Sequence, residues 1–334
     1  MHAISRRSLG ALTAASALGL LATACGSSGK GSDAAADAAD AATITVEDNF
    51  GTQTVPAKPT AIVATDNRSF QTLHDWGVKL AAAPQKIIPA TNPYKTDKSI
   101  VDLGNHREPN LEAVVAAKPD LIINGQRFAS HREKLMQLAP KAAVVELDPR
   151  DGKPLADELK RQITVLGDIF DKKTEAKKLA DDLDAAIQRA KKAYTPGQKV
   201  MAVTTSGGEI GFIAPKIGRT LGPVYEMLDL TPALEVKGAS DDHQGDDISV
   251  EAIADSNPDW ILVMDRDAAV AADDPAYKPA AQILESAEPL TKVTAIANKQ
   301  VVYMPADTYT NEGIQTYTAF LNSFADALEG KKSA

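Results

Sequence analysis

Pro109–Gly125 reads PNLEAVVAAKPDLIING, and Ile248–Met264 reads ISVEAIADSNPDWILVM. Glu112 aligns with Glu251, Ala113 with Ala252, Pro119 with Pro258 and Asp120 with Asp259, always 139 residues apart. A chain that writes one sentence twice at such a spacing is constrained to fold as two like units. In each copy Asn110 or Ser249 can cap a helix, with Glu112 or Glu251 in the first turn. A Pro-Asp turn then sends the chain back as a strand. The strand therefore ends on the side where its helix began, which in parallel α/β sheets is the ligand edge. Arg127 and Arg266 wait there, each 15 residues beyond the glutamate of its unit. A guanidinium stays charged and offers a rigid donor fork suited to anions. Two arginines at equivalent lips of opposed lobes point to an anionic ligand.

The rest of the chain fits that plan. TITVED and GTQTVP alternate apolar and polar residues around Asn49–Gly51, which predicts a β-hairpin. Helical and strand patterns then alternate, so the sheets should be largely parallel. Between them, KTEAKKLADDLDAAIQRAKKAY carries Ala176, Leu179, Leu183 and Ile187 on one stripe. At about 20 residues that helix would be roughly 30 Å long. The fold expected is α/β: two Rossmann-like lobes with mostly parallel sheets, joined by one long α-helix and facing each other across a ligand cleft. The boundaries expected are 43–172 for the N-terminal lobe, 173–195 for the interlobe helix and 196–334 for the C-terminal lobe.

MHAISRRSLGALTAASALGLLATAC reads as an export signal over residues 1–24, with Arg6 and Arg7 before an apolar stretch. Ser5–Leu9 also resembles a twin-arginine signal. Leu21–Cys25 resembles a bacterial lipobox, in which the cysteine is lipidated. Cys25 is the single cysteine, so no disulfide partner exists for it. Residues 25–42 then have little to bury and read as a flexible tether. The protein expected is exported and anchored by lipid to the outer face of the cell membrane.

From Thr43 onward the chain resembles the substrate-binding lipoproteins of iron-siderophore ABC importers. The resemblance is carried by FGTQTVPAKPTAIV, NLEAVVAAKPDLII, VEAIADSNPDWILVMDR and VVYMPADTYTNEG. Within that family it is most similar to the binders of catecholate siderophores. The resemblance implies three pocket arginines, matched by Arg127, Arg266 and, in FIAPKIGRTLG, Arg219. It also implies two residues that ligate iron where the siderophore leaves sites open, His243 in DDHQGDDIS and Tyr309 in PADTYTNEG. Glu112 and Glu251 would dock the two lobes on an ABC permease dimer with its ATPase. The cargo would be an Fe(III)-siderophore complex, with no cofactor bound permanently and a monomeric protein. Asn67 and Arg68, just after AIVATD, are further candidates for the N-lobe lip.

Other classes fit less well. The formal net charge is −9 with no long basic run, which argues against nucleic acid. No G-x-S-x-G, Walker loop or H-E-x-x-H is present, which argues against an enzyme. TTSGGEIG lacks the spacing of a phosphate cradle. The alternatives within ABC import are haem, cobalamin or a bare metal ion. His74, His106, His131 and His243 are scattered along the sequence, and an aromatic content of 5% is thin for a haem or cobalamin cage.

Overall fold

The computed structural model describes residues 42–331. The expected signal peptide, Cys25 and the tether lie outside the described residues, apart from Ala42. Thr43–Asp48 (β1) and Gly51–Pro56 (β2) form the antiparallel hairpin, with Thr43 opposite Pro56 and a turn at Asn49 and Phe50. Then follow Ile62–Ala64 (β3), Phe70–Asp75 (α1), Leu80–Ala83 (β4), Val101–Asp102 (β5), Leu111–Ala117 (α2), Leu121–Asn124 (β6), Arg132–Leu138 (α3) and Ala143–Glu146 (β7). The sheet order is β5-β4-β3-β6-β7, and every pair is parallel.

Leu155–Ile169 (α4) and Lys173–Ala193 (α5) carry the chain onward. The second half comprises Lys199–Ser206 (β8), Glu209–Phe212 (β9), Gly222–Leu228 (α6), Thr231–Pro232 (β10), Val250–Ser256 (α7), Trp260–Asp265 (β11), Arg266–Val270 (α8), Ala280–Ser286 (α9), Thr294–Ala297 (α10), Val301–Tyr303 (β12) and Ile314–Leu328 (α11). Its sheet runs β10-β8-β11-β12 in parallel, with β9 antiparallel on β8. TTSGGEIG is the hairpin between β8 and β9, with Gly207 and Gly208 at positive φ.

Both sheets are covered on two faces, so their strands read as continuous apolar runs rather than alternating ones. Leu121 and Ile123 of β6 enter one core with Phe70 and Leu73, while Ile122 enters another with Val114 and Leu135. Likewise Leu262 and Met264 of β11 meet Phe320 and Phe324, whereas Ile261 and Val263 meet Ile253 and Leu284.

The long helix α5 has 21 residues and buries Ala176, Leu183, Ala186, Ile187 and Ala190 against the C-terminal core. It works with α4, which sends Leu159 and Ile163 into that core and Val165, Leu166 and Ile169 into the N-terminal one.

The repeated Pro-Asp turn has a specific job. Asp120 accepts the backbone N–H groups of Thr60 (2.7 Å) and Ala61 (3.1 Å), fixing the start of β3. Asp259 accepts the N–H of Lys199 at 2.7 Å, fixing the start of β8. In each lobe the aspartate therefore ties the strand of its own unit to the neighbouring parallel strand of the sheet.

Candidate functional site

Arg127 and Arg266 follow the C-terminal ends of β6 and β11, as their matched spacing predicts. Before Arg127 the chain turns through Gln126 at φ 51°, a left-handed conformation held by its N–H donating to Asp148 Oδ2 at 2.5 Å. Arg266 opens α8, whose first turn is capped by Asp265 accepting the N–H of Ala268 at 3.0 Å. Arg219 comes from the compact loop between β9 and α6. A Cβ on Gly218 would lie 2.6 Å from backbone atoms of Ala214, so a larger residue cannot occupy that turn. Tyr309 stands on a short 3-10 turn, Thr308–Thr310, beyond β12.

These elements converge. The guanidinium carbons of Arg127, Arg266 and Arg219 lie 4.6, 4.8 and 5.3 Å from the centroid of the Tyr309 ring. The His243 ring centroid is 6.4 Å from that of Tyr309, and His243 itself is exposed. All five side chains line a cleft of about 810 Å³. Burial by itself raises the Tyr309 phenol, but the charge of Arg127 and hydrogen bonds from Arg266 and Arg127 outweigh it, so the phenol is held below its ordinary value. The phenolate, the form that binds a hard cation, is thereby made easier to reach.

The cleft wall also includes Lys86, Lys95, His106 and Arg107 from the N-terminal lobe and Asp273 and Asp274 from the other. Six lysines and arginines thus face two aspartates, in a chain whose net charge is −9. The four N-lobe residues come from loops with no counterpart in the repeat, so spacing gave no signal for them. Their charge and their position after β4 and β5, at the ligand edge of a parallel sheet, would have been the available clue.

Asn67 and Arg68 are not among the residues that line the cleft. Asn67 is 2% exposed and donates to the carbonyls of Ile87 (2.9 Å) and Thr310 (3.0 Å), fastening one lobe to the other. Arg68 is drawn inward by carboxylates, pairing with Asp148 at 3.3 Å and Glu312 at 3.2 Å. Gly313 permits this approach, since a Cβ there would sit 2.9 Å from the Arg68 carbonyl oxygen.

Glu312 is the centre of that junction. It is 2% exposed and accepts from Arg219 through both oxygens (3.3 and 3.1 Å), from Arg68, from Gln126 at 3.2 Å and from the Thr220 hydroxyl at 2.6 Å. Arg219 is therefore not a free cation, and the three arginines are not equivalent. Arg266 pairs with Asp267 at 3.1 Å, while Arg127 has no carboxylate partner among the described residues.

Asp66 lies behind Arg68, fully buried, accepting from the Arg68 N–H (2.9 Å) and Gln162 Nε2 (2.7 Å). Burial, reinforced by the charge of Asp148 and opposed by Arg68, pushes it up to about 7. An unfolded chain ionises this group near its ordinary 3.8, so stability should fall as pH rises between those two values. Asp66→Asn should remove that fall and exceed the parent at pH 8 by about 2–4 kcal/mol. Urea denaturation at pH 5 and pH 8 checks it. A difference between variant and parent that is the same at both pH values would overturn the assignment.

Glu112 and Glu251 lie away from the cleft lining, exposed at the second residue of α2 and α7. Asn110 Oδ1 accepts the N–H of Ala113 at 3.2 Å and Ser249 Oγ that of Ala252 at 3.1 Å, so both predicted caps form. Among the described residues no group of three or more His, Cys, Asp or Glu is gathered to hold a metal ion, and no helix is long and apolar enough to cross a membrane.

A family model described as periplasmic binding protein matches residues 62–308. The chain is 29% identical over 269 residues to the ferric-anguibactin-binding protein FatB of Vibrio anguillarum, covering 80% of this chain and 81% of that protein. It is 28% identical over 319 residues to the petrobactin-binding protein YclQ of Bacillus subtilis, covering 92% and 94%. Among solved structures, the periplasmic catecholate-siderophore binding protein VctP from Vibrio cholerae superposes with a TM-score of 0.73 at 21% identity, covering 84% of this chain and 100% of that one. That likeness is one of fold.

Proposed function

The chain belongs to the periplasmic binding protein family, and from that premise we propose that it captures an anionic ferric siderophore, catecholate or mixed catecholate, and hands it to an ABC permease for iron uptake. One observation carries the reading: Arg127, Arg219 and Arg266 close on Tyr309 inside a cationic cleft of a net acidic protein. The global field opposes an anion, so a local cluster of this kind answers to an anionic ligand. Ferric iron wrapped by deprotonated catecholate oxygens is such an anion, and guanidinium N–H groups are its natural donors. The Nε–H groups of Arg127 and Arg266 are buried and have no hydrogen-bond partner among the described residues. Phenolate and imidazole suit Fe(III) with open sites, and Tyr309 and His243 share the same end of the cleft. FatB and YclQ, whose names specify ferric anguibactin and petrobactin, support the same class of cargo.

In this reading the protein is a carrier and not an enzyme. It holds no permanent cofactor, binds no nucleic acid and works as a monomer. Residues 1–24 direct export, lipidated Cys25 anchors the chain to the outer face of the membrane, and the tether through residue 42 gives it reach. The segments 43–172 and 196–334 act as the lobes about the helix 173–195. Haem and cobalamin are less favoured, because Tyr309 is the one aromatic lining the cleft among the described residues, histidines aside.

Titration by fluorescence quenching tests the proposal against ferric catecholate, ferric hydroxamate and haem. The ferric catecholate should bind most tightly. Arg127→Ala should weaken it about 10- to 150-fold, corresponding to about 1.5–3 kcal/mol for a hydrogen bond to a charged group. Tyr309→Phe should shift the iron charge-transfer band with a tetradentate catecholate and leave it unchanged with a hexadentate one. Parent-like affinity in Arg127→Ala, or tighter binding of haem, would end this reading.

A further inference from the structure

The segment Asp307–Gln315 carries Tyr309 through the junction between the lobes, and it has two sides. Ala90 and Thr310 line the cleft, while their chain neighbours Thr91 and Asn311 line a second, polar cavity of about 430 Å³ behind it. We propose that Gln71, Thr72 and Thr91 are positioning residues: from the rear of the junction they hold the Tyr309 segment against the N-terminal lobe and so set how long a ligand stays in the cleft. The inference rests on the cleft being the carrier's ligand site and adds to it residues that do not line it.

Gln71 and Thr72 stand at the start of α1, and Thr91 lies in the loop after β4. All three follow the C-terminal ends of parallel strands, β3 and β4, and so reach toward the other lobe. The Thr91 hydroxyl donates to Asp307 Oδ2 at 2.5 Å. Asn311 Nδ2 donates to that same oxygen at 3.1 Å and to Gln71 Oε1 at 3.0 Å. Gln315 Nε2 donates to the Thr72 hydroxyl at 2.9 Å. From the cleft side Asn67, Arg68, Gln126 and Arg127 bind the same segment, at the carbonyls of Thr310 and Tyr309 and at Glu312. The C-terminal lobe holds it through Arg219 and Thr220 on Glu312 and through the packing of the Tyr309 ring. The segment is thus part of the C-terminal half by sequence and fastened to both lobes in space.

The rear contacts are suited to breaking and reforming. Asn311 is 6% exposed, yet its Oδ1 accepts no hydrogen bond among the described residues. A buried acceptor without a donor is unfavourable, and parting of the lobes would relieve it by admitting water. The adjoining cavity is polar, with His74, Asp75 and Asn92 on its wall, and has room for water to take up the groups released. One hydrogen bond exchanged for water in this way changes an equilibrium about two- to tenfold. The walls of the cleft come from different lobes, so a ligand gripped by both leaves as they part. The rear bonds break in the same movement and enter the barrier to release. Capture depends instead on charge at the mouth, which these neutral residues do not alter.

Stopped-flow displacement of a ferric catecholate reads the effect. Thr72→Val and Thr91→Val each remove one hydroxyl at nearly constant shape, and each should raise koff about two- to tenfold with kon little changed. Gln71→Leu should act in the same direction. Thr72→Ser and Thr91→Ser keep the hydroxyl and should release at the parent rate. A second readout needs no ligand. In the double variant Thr72→Val with Thr91→Val, amide hydrogen exchange over Asp307–Gln315 should quicken about fourfold or more, while β8 and β11 keep the parent rate. Parent-like koff in both valine variants, equal release by the valine and serine variants, or unchanged exchange over Asp307–Gln315 would overturn the inference and leave the proposed function standing. Failure of the parent to bind the ferric catecholate would end the proposed function alone, and the exchange rates, measured without ligand, would then decide this inference.

Discussion

Replacing Glu312 with alanine should destabilise the fold by about 3–5 kcal/mol, the range for breaking a buried charge network by removing one partner. Arg68 and Arg219 both donate to this carboxylate from largely buried positions, and Gln126 and Thr220 complete its acceptor sites. Removing it leaves two guanidinium groups facing each other without their shared counter-charge. In a chain of this size the melting temperature should fall by about 10 °C. An independent argument gives a similar magnitude. Burial raises the Glu312 carboxyl, but the charges of Arg219 and Arg68 overcome this and hold it at about 2 instead of 4.5. The unfolded chain takes up a proton near the higher value and the folded chain near the lower one. Stability from this group is thus complete above about 4.5 and lost as pH falls toward 2, by about 3 kcal/mol. Thermal melts of parent and variant from pH 7 down to pH 2.5 test both arms. A variant that melts within two or so degrees of the parent at pH 7, with the same acid slope, would show that the junction does not depend on Glu312.

Much of this site could be read from the chain because it is written in repeats and local motifs. The shared offset located Arg127 and Arg266, since residues at equivalent places in two like units end at equivalent edges of two like sheets. Tyr309 came from the family resemblance carried by PADTYTNEG, and the structure supplies a reason for the glycine that ends that motif, Gly313, in the close approach of Arg68. What was not legible is the pairing. Glu312 meets Arg68 from 244 residues away and Arg219 from 93, and no local pattern marks a carboxylate as destined for a particular arginine. The same holds for the partners of Asn67 and Arg68, which lie in both halves of the sequence. A position after a strand end tells which edge a residue occupies, but the direction of its side chain is decided by partners elsewhere. Helix α4 illustrates the limit in packing: its apolar stripe is visible, yet only the fold shows that its two ends belong to different cores.

Reversing both repeat glutamates, Glu112→Arg with Glu251→Arg, should leave ferric catecholate affinity within about twofold of the parent and abolish iron uptake by whole cells. The two carboxylates are exposed, occupy the same position in their helices and have no ion-pair partner among the described residues. Each helix has 7 residues, opens on a side-chain cap and closes on a left-handed residue, Lys118 at φ 45° or Asn257 at φ 43°. A first-turn glutamate gains about 0.3–1 kcal/mol from the helix dipole. That accounts for a small stabilisation, but not for leaving two matched anions unpaired on surfaces that the rest of the repeat reproduces so closely. Two similar permease subunits would present two similar basic pockets, and matched acidic pegs would answer them. Charges at the rim of such an interface govern encounter and register more than the capture of a ligand held elsewhere. A lipid tether at Cys25 would raise the local concentration of the protein at the membrane, so that modest docking contacts suffice. Quenching titrations and radioactive iron uptake, run on the same double variant, separate the two activities. Uptake that survives the reversal would reduce the glutamates to partners of their helix dipoles, and the repeat to a consequence of building two lobes on one pattern.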